Sequence, residues 1–335
     1  MSETTVSEET LSEEIVLTVP PAGPDEPGST PGGTPPGDTP PGKADKRGIG
    51  AIGWIALAWM IFIVVVAIVG PLLAADTSFE LDPDGCGDGS GLPIYDPIKC
   101  ADIDNRFVHV FGVDGNGRDV LSQVVFGTRT SLIISFSSIG IAIVVGAFFG
   151  MVAGYFGRLW GSVIGSAFDV MLAFPQLVLA LTIVTFVGAK ESTRVPSIIL
   201  ALGIVATPVL GRITRASALA WSNREFVMAS KALGAKDGRI MLREVFPNVV
   251  PALLSIAFLA VAVVIVAEGG LSVLGLGVPS TQVSWGSVLA TGGGDLANLS
   301  HMVYASSAAI LLTVMSLNIL GDAVRRKFDV RESVL

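Results

Sequence analysis

The sequence predicts an all-α protein that crosses a membrane six times, with both termini in the cytoplasm. Three observations carry this. The composition is 51% hydrophobic and 15% charged, with mean hydropathy +0.68, well below the roughly 25% charged residues of soluble domains. Six long stretches contain no Asp, Glu, Lys or Arg. The basic residues also gather in alternate loops, as they do when Lys and Arg are held in the cytoplasm.

Residues 1–42 hold eight acids and no base, so the remaining chain carries 21 charges of each sign and the net −8 comes from this segment. Residues 20–41 are dominated by Pro, Gly and Thr. Such a composition buries too little apolar surface to offset the entropy of ordering. A disordered acidic tail is therefore expected over 1–48. With no basic excess in the body, no nucleic-acid partner is expected.

The uncharged stretches are 51–75, 130–157, 170–189, 195–211, 245–267 and 296–321. About 20 apolar residues suffice to cross a bilayer core of ~30 Å at ~1.5 Å rise per residue. An even number of spans puts both ends on one side. With the tail inside, the inside segments hold 15 Lys and Arg and the outside segments hold 6. The expected organisation is then a cytoplasmic tail at 1–48, a first transmembrane helix at 49–75 and an extracytoplasmic loop at 76–128. A core at 129–325 holds five further helices and a long cytoplasmic loop at 220–248, and 326–335 form a cytoplasmic C-terminus. The outside loop carries the two cysteines, Cys86 and Cys100. On the oxidising side a disulfide between them is the expected pairing, with two free thiols as the alternative.

Enzyme chemistry finds no foothold. There are two histidines, His109 and His301, and no Cys/His ligand spacing. The sequence has no G-x-x-x-x-G-K-[ST] phosphate loop and no G-x-S-x-G elbow. The acidic run at 82–89 lacks the spacing and closing Glu of an EF-hand loop. No catalytic residue, metal or cofactor is expected. A polytopic chain of this kind reads as a transport pathway, driven by an ion gradient or by an ATPase on another chain. A membrane scaffold without transport is a further alternative.

The inside loop bears on that choice. Ser222 and Glu225 have the spacing of a capping box, which predicts a helix starting there. Gly234 is placed to end it in a left-handed cap. Asp237 is expected to cap a second short helix over 238–245, ending before Pro247. The loop is then either an amphipathic connector on the membrane surface or a docking knob for a partner protein.

The same loop resembles one found in permease subunits of ATP-binding-cassette (ABC) importers, whose pattern is E-A-A, three residues, G, nine residues, I-x-L-P. Met228, Ala229 and Ser230 stand at E-A-A, Gly234 at G, and Glu244 to Pro247 at I-x-L-P. Met228 and Glu244 depart from the pattern, while Ala229, Gly234 and Pro247 agree. The stretch from His109 to Gln123 resembles HPLGTDxxGRDVLSR of the dipeptide/oligopeptide/nickel permease family. Phe168 to Gln176, Glu268 to Gly277, Ser284-Trp285-Gly286 and Asn318 to Asp322 resemble further family segments, in the family's order. The likeness runs over about residues 50–330 and is greatest to the second-permease (DppC/OppC-like) branch. The tail and the cysteine-bearing insertion depart from it.

The resemblance implies a type I ABC importer permease fold and a heterodimer with a second permease. It also implies two cytoplasmic ABC ATPase subunits that bind ATP and Mg, and an extracytoplasmic substrate-binding protein, all working in membrane lipid. The substrates it implies are dipeptides or oligopeptides, with nickel chelates, glutathione or haem as alternatives. It assigns Glu225, Met228, Ala229, Ser230, Gly234 and Pro247 to an ATPase-coupling loop. Glu268 and Asp169 are candidates for a pathway or gate, because a carboxylate in a span is costly unless it is paired; a structural pair with another helix is the alternative for Glu268. Gly112, Asp114, Arg118, Asp119 and Trp285 are candidates for the extracytoplasmic entrance. For the first four, a capped start to the second span is the alternative.

Overall fold

A computed structural model describes residues 50–73, 111–112, 114 and 118–332. Cys86, Cys100, His109 and the acidic tail lie outside the described residues. Among the described residues the regular structure is helical: α1 (Ala51–Leu73), α2 (Val120–Phe156), α3 (Arg158–Ala173), α4 (Gln176–Val187), α5 (Glu191–Ser222), α6 (Glu225–Ala232), α7 (Asp237–Ile240), α8 (Phe246–Val273), α9 (Trp285–Gly294) and α10 (Ser300–Glu332). Helices are the expected answer of an open chain to hydrocarbon, because each satisfies its own backbone polar groups. Span hydroxyls follow the same rule. Ser135, Ser138, Thr207, Thr214 and Ser306 each donate to the carbonyl four residues back.

Among the described residues, five helices are long and apolar enough to cross a membrane unbroken. The stretch at 170–189, expected as one clean span, is instead divided between α3 and α4, which meet at 89°. The cause is Pro175. It offers no N–H, and its ring drives the residue before it out of the helical region. Phe174 accordingly sits at φ −83°, ψ 138°.

The centre of the bundle is the pair α2 and α5. Gly146, Gly150 and Gly154 recur every four residues of α2, on the face turned to α5. A Cβ on Gly146 would stand 2.8 Å from the Thr207 carbonyl oxygen, and one on Gly154 would stand 2.7 Å from the Ala218 Cβ. Without side chains the two backbones meet directly, which is how helices gain dispersion contact where lipid removes the hydrophobic drive. The core continues through Ile134, Ile198, Leu210, Leu253 and Ile265, all buried. Outside it, α10 lies on α8, and α1 closes on α10, with Trp59 Nε1 donating to Thr313 Oγ1 at 3.2 Å.

At 37 residues α2 is about 55 Å long, well beyond the ~30 Å hydrocarbon core. Each end meets a different structure. Near its first turns lie α9 and the end of α8. Near its last turn lie α6, α7 and the start of α8.

Replacing Gly154 with Leu should force α2 and α5 apart and cost about 1–3 kcal/mol or more. The apparent unfolding midpoint of the detergent-purified chain reads this directly, and an unchanged midpoint would contradict the close approach.

Candidate functional site

The turn after α5 forms a small knob. The helix α6 does begin at Glu225, but its N-cap is Arg224, with no side-chain cap. Ser222 is spent otherwise: it remains in α5 and its hydroxyl donates to the Leu219 carbonyl. The end of α6 follows the glycine rule. Gly234 has φ +81°. The Gly234 N–H bonds the Lys231 carbonyl, and the Ala235 N–H bonds the Ser230 carbonyl. These are the paired bonds of a Schellman cap, which needs a left-handed residue at the position of Gly234.

The second short helix differs from the expected 238–245. Only Asp237–Ile240 is α-helical, and Met241–Val245 then form a π turn that passes straight into α8. Pro247 does not end that helix, which runs through it from the π turn into α8. Asp237 is not the cap, which is Lys236. Its Oδ1 accepts instead from the Tyr155 hydroxyl at the end of α2, at 2.7 Å. The Lys231 ammonium stands 4.6 Å from the centre of the Tyr155 ring. Ser230 donates to Glu244 Oε1 at 2.9 Å. Beneath, Met151, Tyr155, Ala218, Val227, Ile240, Val245 and Val249 form one buried cluster. Outward, Leu233 is 89% exposed and Met228 55%. The knob is thus fixed on its inner face and apolar at its tip.

The residues singled out for an entrance gather at the other end of α2. Asp119 is the N-cap of α2, its carboxylate accepting from the Ser122 N–H at 2.7 Å. Asp114 accepts from the Arg118 N–H and from Gln123 Nε2, and the Val120 N–H bonds the Gly112 carbonyl. Gly112 is left-handed, at φ +74°. These four residues therefore build the capped start of α2. Trp285 is fully buried further along α2: its backbone N–H donates to Ser131 Oγ and its indole N–H to the Val124 carbonyl, both at 3.0 Å.

Glu268 lies beside this junction, near the end of α8, and is 1% exposed. Its Oε1 accepts from Ser284 Oγ at 2.7 Å and from Ser272 Oγ at 3.0 Å. The Gly286 N–H also donates to the carboxylate. Ser284 is in turn the N-cap of α9, in a capping box with Ser287. Donors from α8 and from the head of α9 thus converge on one buried carboxylate. Asp169 is placed differently. It pairs with Arg212 across α3 and α5, and both side chains are at least half exposed. The structure does not bring Asp169 and Glu268 together.

The sequence profile for binding-protein-dependent transport system inner membrane components matches residues 146–334, which include the knob, Glu268 and α9. The chain belongs to that family. The permease is 31% identical over 266 residues to the dipeptide transport system permease protein DppC of Alkalihalophilus pseudofirmus, covering 79% of this chain and 81% of that one. It is 33% identical to the di/tripeptide permease DppC of Pseudomonas aeruginosa (84% and 88%), and 30% identical to the glutathione permease GsiD of an Escherichia coli strain (82% and 84%). The permease also shares its fold with a chain of the inward-facing MetNI methionine ABC transporter. There the TM-score is 0.53 at 17% identity, over 62% of this chain and 97% of that one.

Sequence reasoning missed Tyr155 and Ser131. Tyr155 left a signal, since a tyrosine at the end of an uncharged run often has a polar partner for its hydroxyl. Ser131 left none, because its partner is a backbone N–H brought from α9. In the permease, Glu268→Ala should strand the hydroxyls and the N–H that now point at the carboxylate, lowering stability by about 1.5–3 kcal/mol. Glu268→Gln, which keeps one acceptor oxygen, should lose less. Thermal midpoints of the two variants in detergent give the order, and equal losses would argue against these hydrogen bonds.

Proposed function

We propose that this chain is one transmembrane subunit of an ATP-driven ABC importer that moves di- or oligopeptides across the plasma membrane by alternating access. Glutathione is a second substrate reading, favoured by the likeness to the GsiD permeases. ATP and Mg bind to two partner ATPases, not to this chain. In this reading the knob faces the cytoplasm and seats in one ATPase. The observation that carries the proposal is the form of the knob: a Schellman-capped helix with Leu233 and Met228 exposed at its tip, and Val227 and Ile240 buried beneath it. A surface connector would bury its apolar tip in lipid and would have no need of the rigid inner face.

The variation at the E-A-A position supports the same assignment. Met228 removes the expected carboxylate, but Glu244 brings one to the same short helix through Ser230. The second oxygen of Glu244 is buried and has no hydrogen-bond partner among the described residues. The apolar side chains exposed on α3 and α4, such as Leu159 at 73% and Phe186 at 82%, are the face we assign to the second permease. An extracytoplasmic binding protein delivers substrate to the end where α9 lies. Motion between inward and outward states is then a rigid-body rocking of packed helices.

Gly234→Asp should abolish ATP-dependent uptake in membrane vesicles while leaving the amount of inserted chain unchanged. A β-carbon at φ +81° is strained by about 1–2 kcal/mol, and the added charge lands beside the tip. In the parent, Leu233→Cys should cross-link to an ATPase subunit. Uptake that persists without ATP and stops when the ion gradient is collapsed would instead make the chain a secondary transporter.

A further inference from the structure

We infer that α2 is the element that carries displacement of the knob to the head of α9, with Tyr155 and Ser131 as its two points of attachment. This rests on the coupling reading above and adds a path to it. In sequence the knob is continuous with α5 and α8, and a chain-adjacent span would be the obvious transmitter. The geometry favours α2 instead.

Three routes leave the knob. The route through α8 starts with the π turn Met241–Val245 and carries Pro247 and Pro251 in its first turns. It is joined to α9 in sequence by a turn containing Gly275 at φ +80° and holds the head of α9 through the Glu268 carboxylate, so its yielding points lie at the knob end, between the knob and that contact. π turns and prolines are where helices yield. The route through α5 contains Pro196 and Pro208 and ends at α4, not at α9. The route through α2 is a single helix without proline. Between Ser131 and Tyr155, its glycines at 146, 150 and 154 are backed by the α5 backbone and do not act as joints, and Gly140 alone stands in open space.

The attachments of α2 are specific at both ends. At the knob, the Tyr155 hydroxyl donates to Asp237 Oδ1 at 2.7 Å and its ring carries the Lys231 ammonium, so α2 grips both α6 and α7. At the far end, Ser131 is fully buried and its Oγ accepts the Trp285 N–H at 3.0 Å, while Val124 holds the indole. Ser131 and Tyr155 are separated by about 36 Å of continuous helix at ~1.5 Å per residue. A shift of α7 along the α2 axis therefore arrives at the Ser284–Trp285 turn, where Glu268 also anchors. Tyr155 and Ser131 are positioning residues, since neither meets substrate or nucleotide in this reading.

The test uses the importer purified with its own partner subunits in nanodiscs, in a Cys86→Ser/Cys100→Ser background. A bimane is attached at Gln282→Cys, an exposed position in the turn ahead of α9. Trapping with ATP and orthovanadate should change its emission in the parent. Tyr155→Phe keeps the ring over Lys231 and removes only the hydroxyl. It should shrink that change by about fivefold or more, the low end of coupling between linked sites. Asp237→Ala should do the same, Asp237→Asn should retain most of the change, and the Tyr155→Phe/Asp237→Ala pair should lose no more than either single variant. If Tyr155→Phe does not assemble or trap, Ser131→Ala at the other end is read with the same expectation. An undiminished signal in the hydroxyl and carboxylate variants overturns the inference, as does a parent that traps nucleotide without any change at α9; the coupling reading survives both. A parent chain that recruits no ATPase overturns the two together.

Discussion

The backbone contact between α2 and α5 is the constraint on which the remaining structure depends. Lipid offers no hydrophobic reward for bringing two apolar helices together, so association must come from close packing and from hydrogen bonds. Glycines every fourth residue of α2 supply the first. They also fix the rotation of α2, because the face carrying Gly146, Gly150 and Gly154 is the one that can meet the α5 backbone. Once that rotation is set, Tyr155 must point to the knob and Ser131 to Trp285. The two candidate regions, about 36 Å apart, are therefore placed by one packing decision.

Much of this is visible in the sequence, and the limits have physical causes. Spans are legible because the bilayer imposes a length and excludes charge, and both properties are local. Gly234 is legible for a similar reason, since a left-handed cap is set by the residues around it. Three features were not. The bend at Phe174 and Pro175 interrupts an uncharged stretch whose composition gives no warning, although proline in its middle does. The Ser222 and Glu225 pair has the right spacing for a capping box, yet α5 continues through Ser222, because tertiary packing of its last turns outweighs one side-chain hydrogen bond. The π turn at 241–245 lets the helix run on where the sequence suggested a stop. It also moves Asp237 from cap to partner of Tyr155, a residue 82 positions away.

Glu268 illustrates how burial alone misleads. A carboxylate in a span invites a functional reading, because leaving it unpaired in hydrocarbon would cost several kcal/mol. Here Ser272, Ser284 and Gly286 supply donors, and two of these three lie at the head of α9. The carboxylate is thus the point at which a short helix of ten residues is held to a long one. A neutral, apolar residue could fill the same space but could not collect donors from two segments. The acid at this position sets the orientation of α9, which neither the length nor the apolar content of α9 would determine.

The two ends of α2 also differ in kind, which bears on what each can do. At α9 the contacts are to backbone groups and to fully buried side chains, and they would be hard to exchange for others without leaving donors unpaired. At the knob the corresponding contacts are a hydroxyl on a carboxylate and an ammonium over a ring. Polar groups at this end can exchange partners with less loss than those packed around α9. A transmitting helix needs this asymmetry. If both ends were equally tight, the bundle would have one arrangement; if both were loose, displacement at one would be absorbed before reaching the other. Under the proposed coupling, the tightly held end follows α2, and the knob end adjusts to the ATPase.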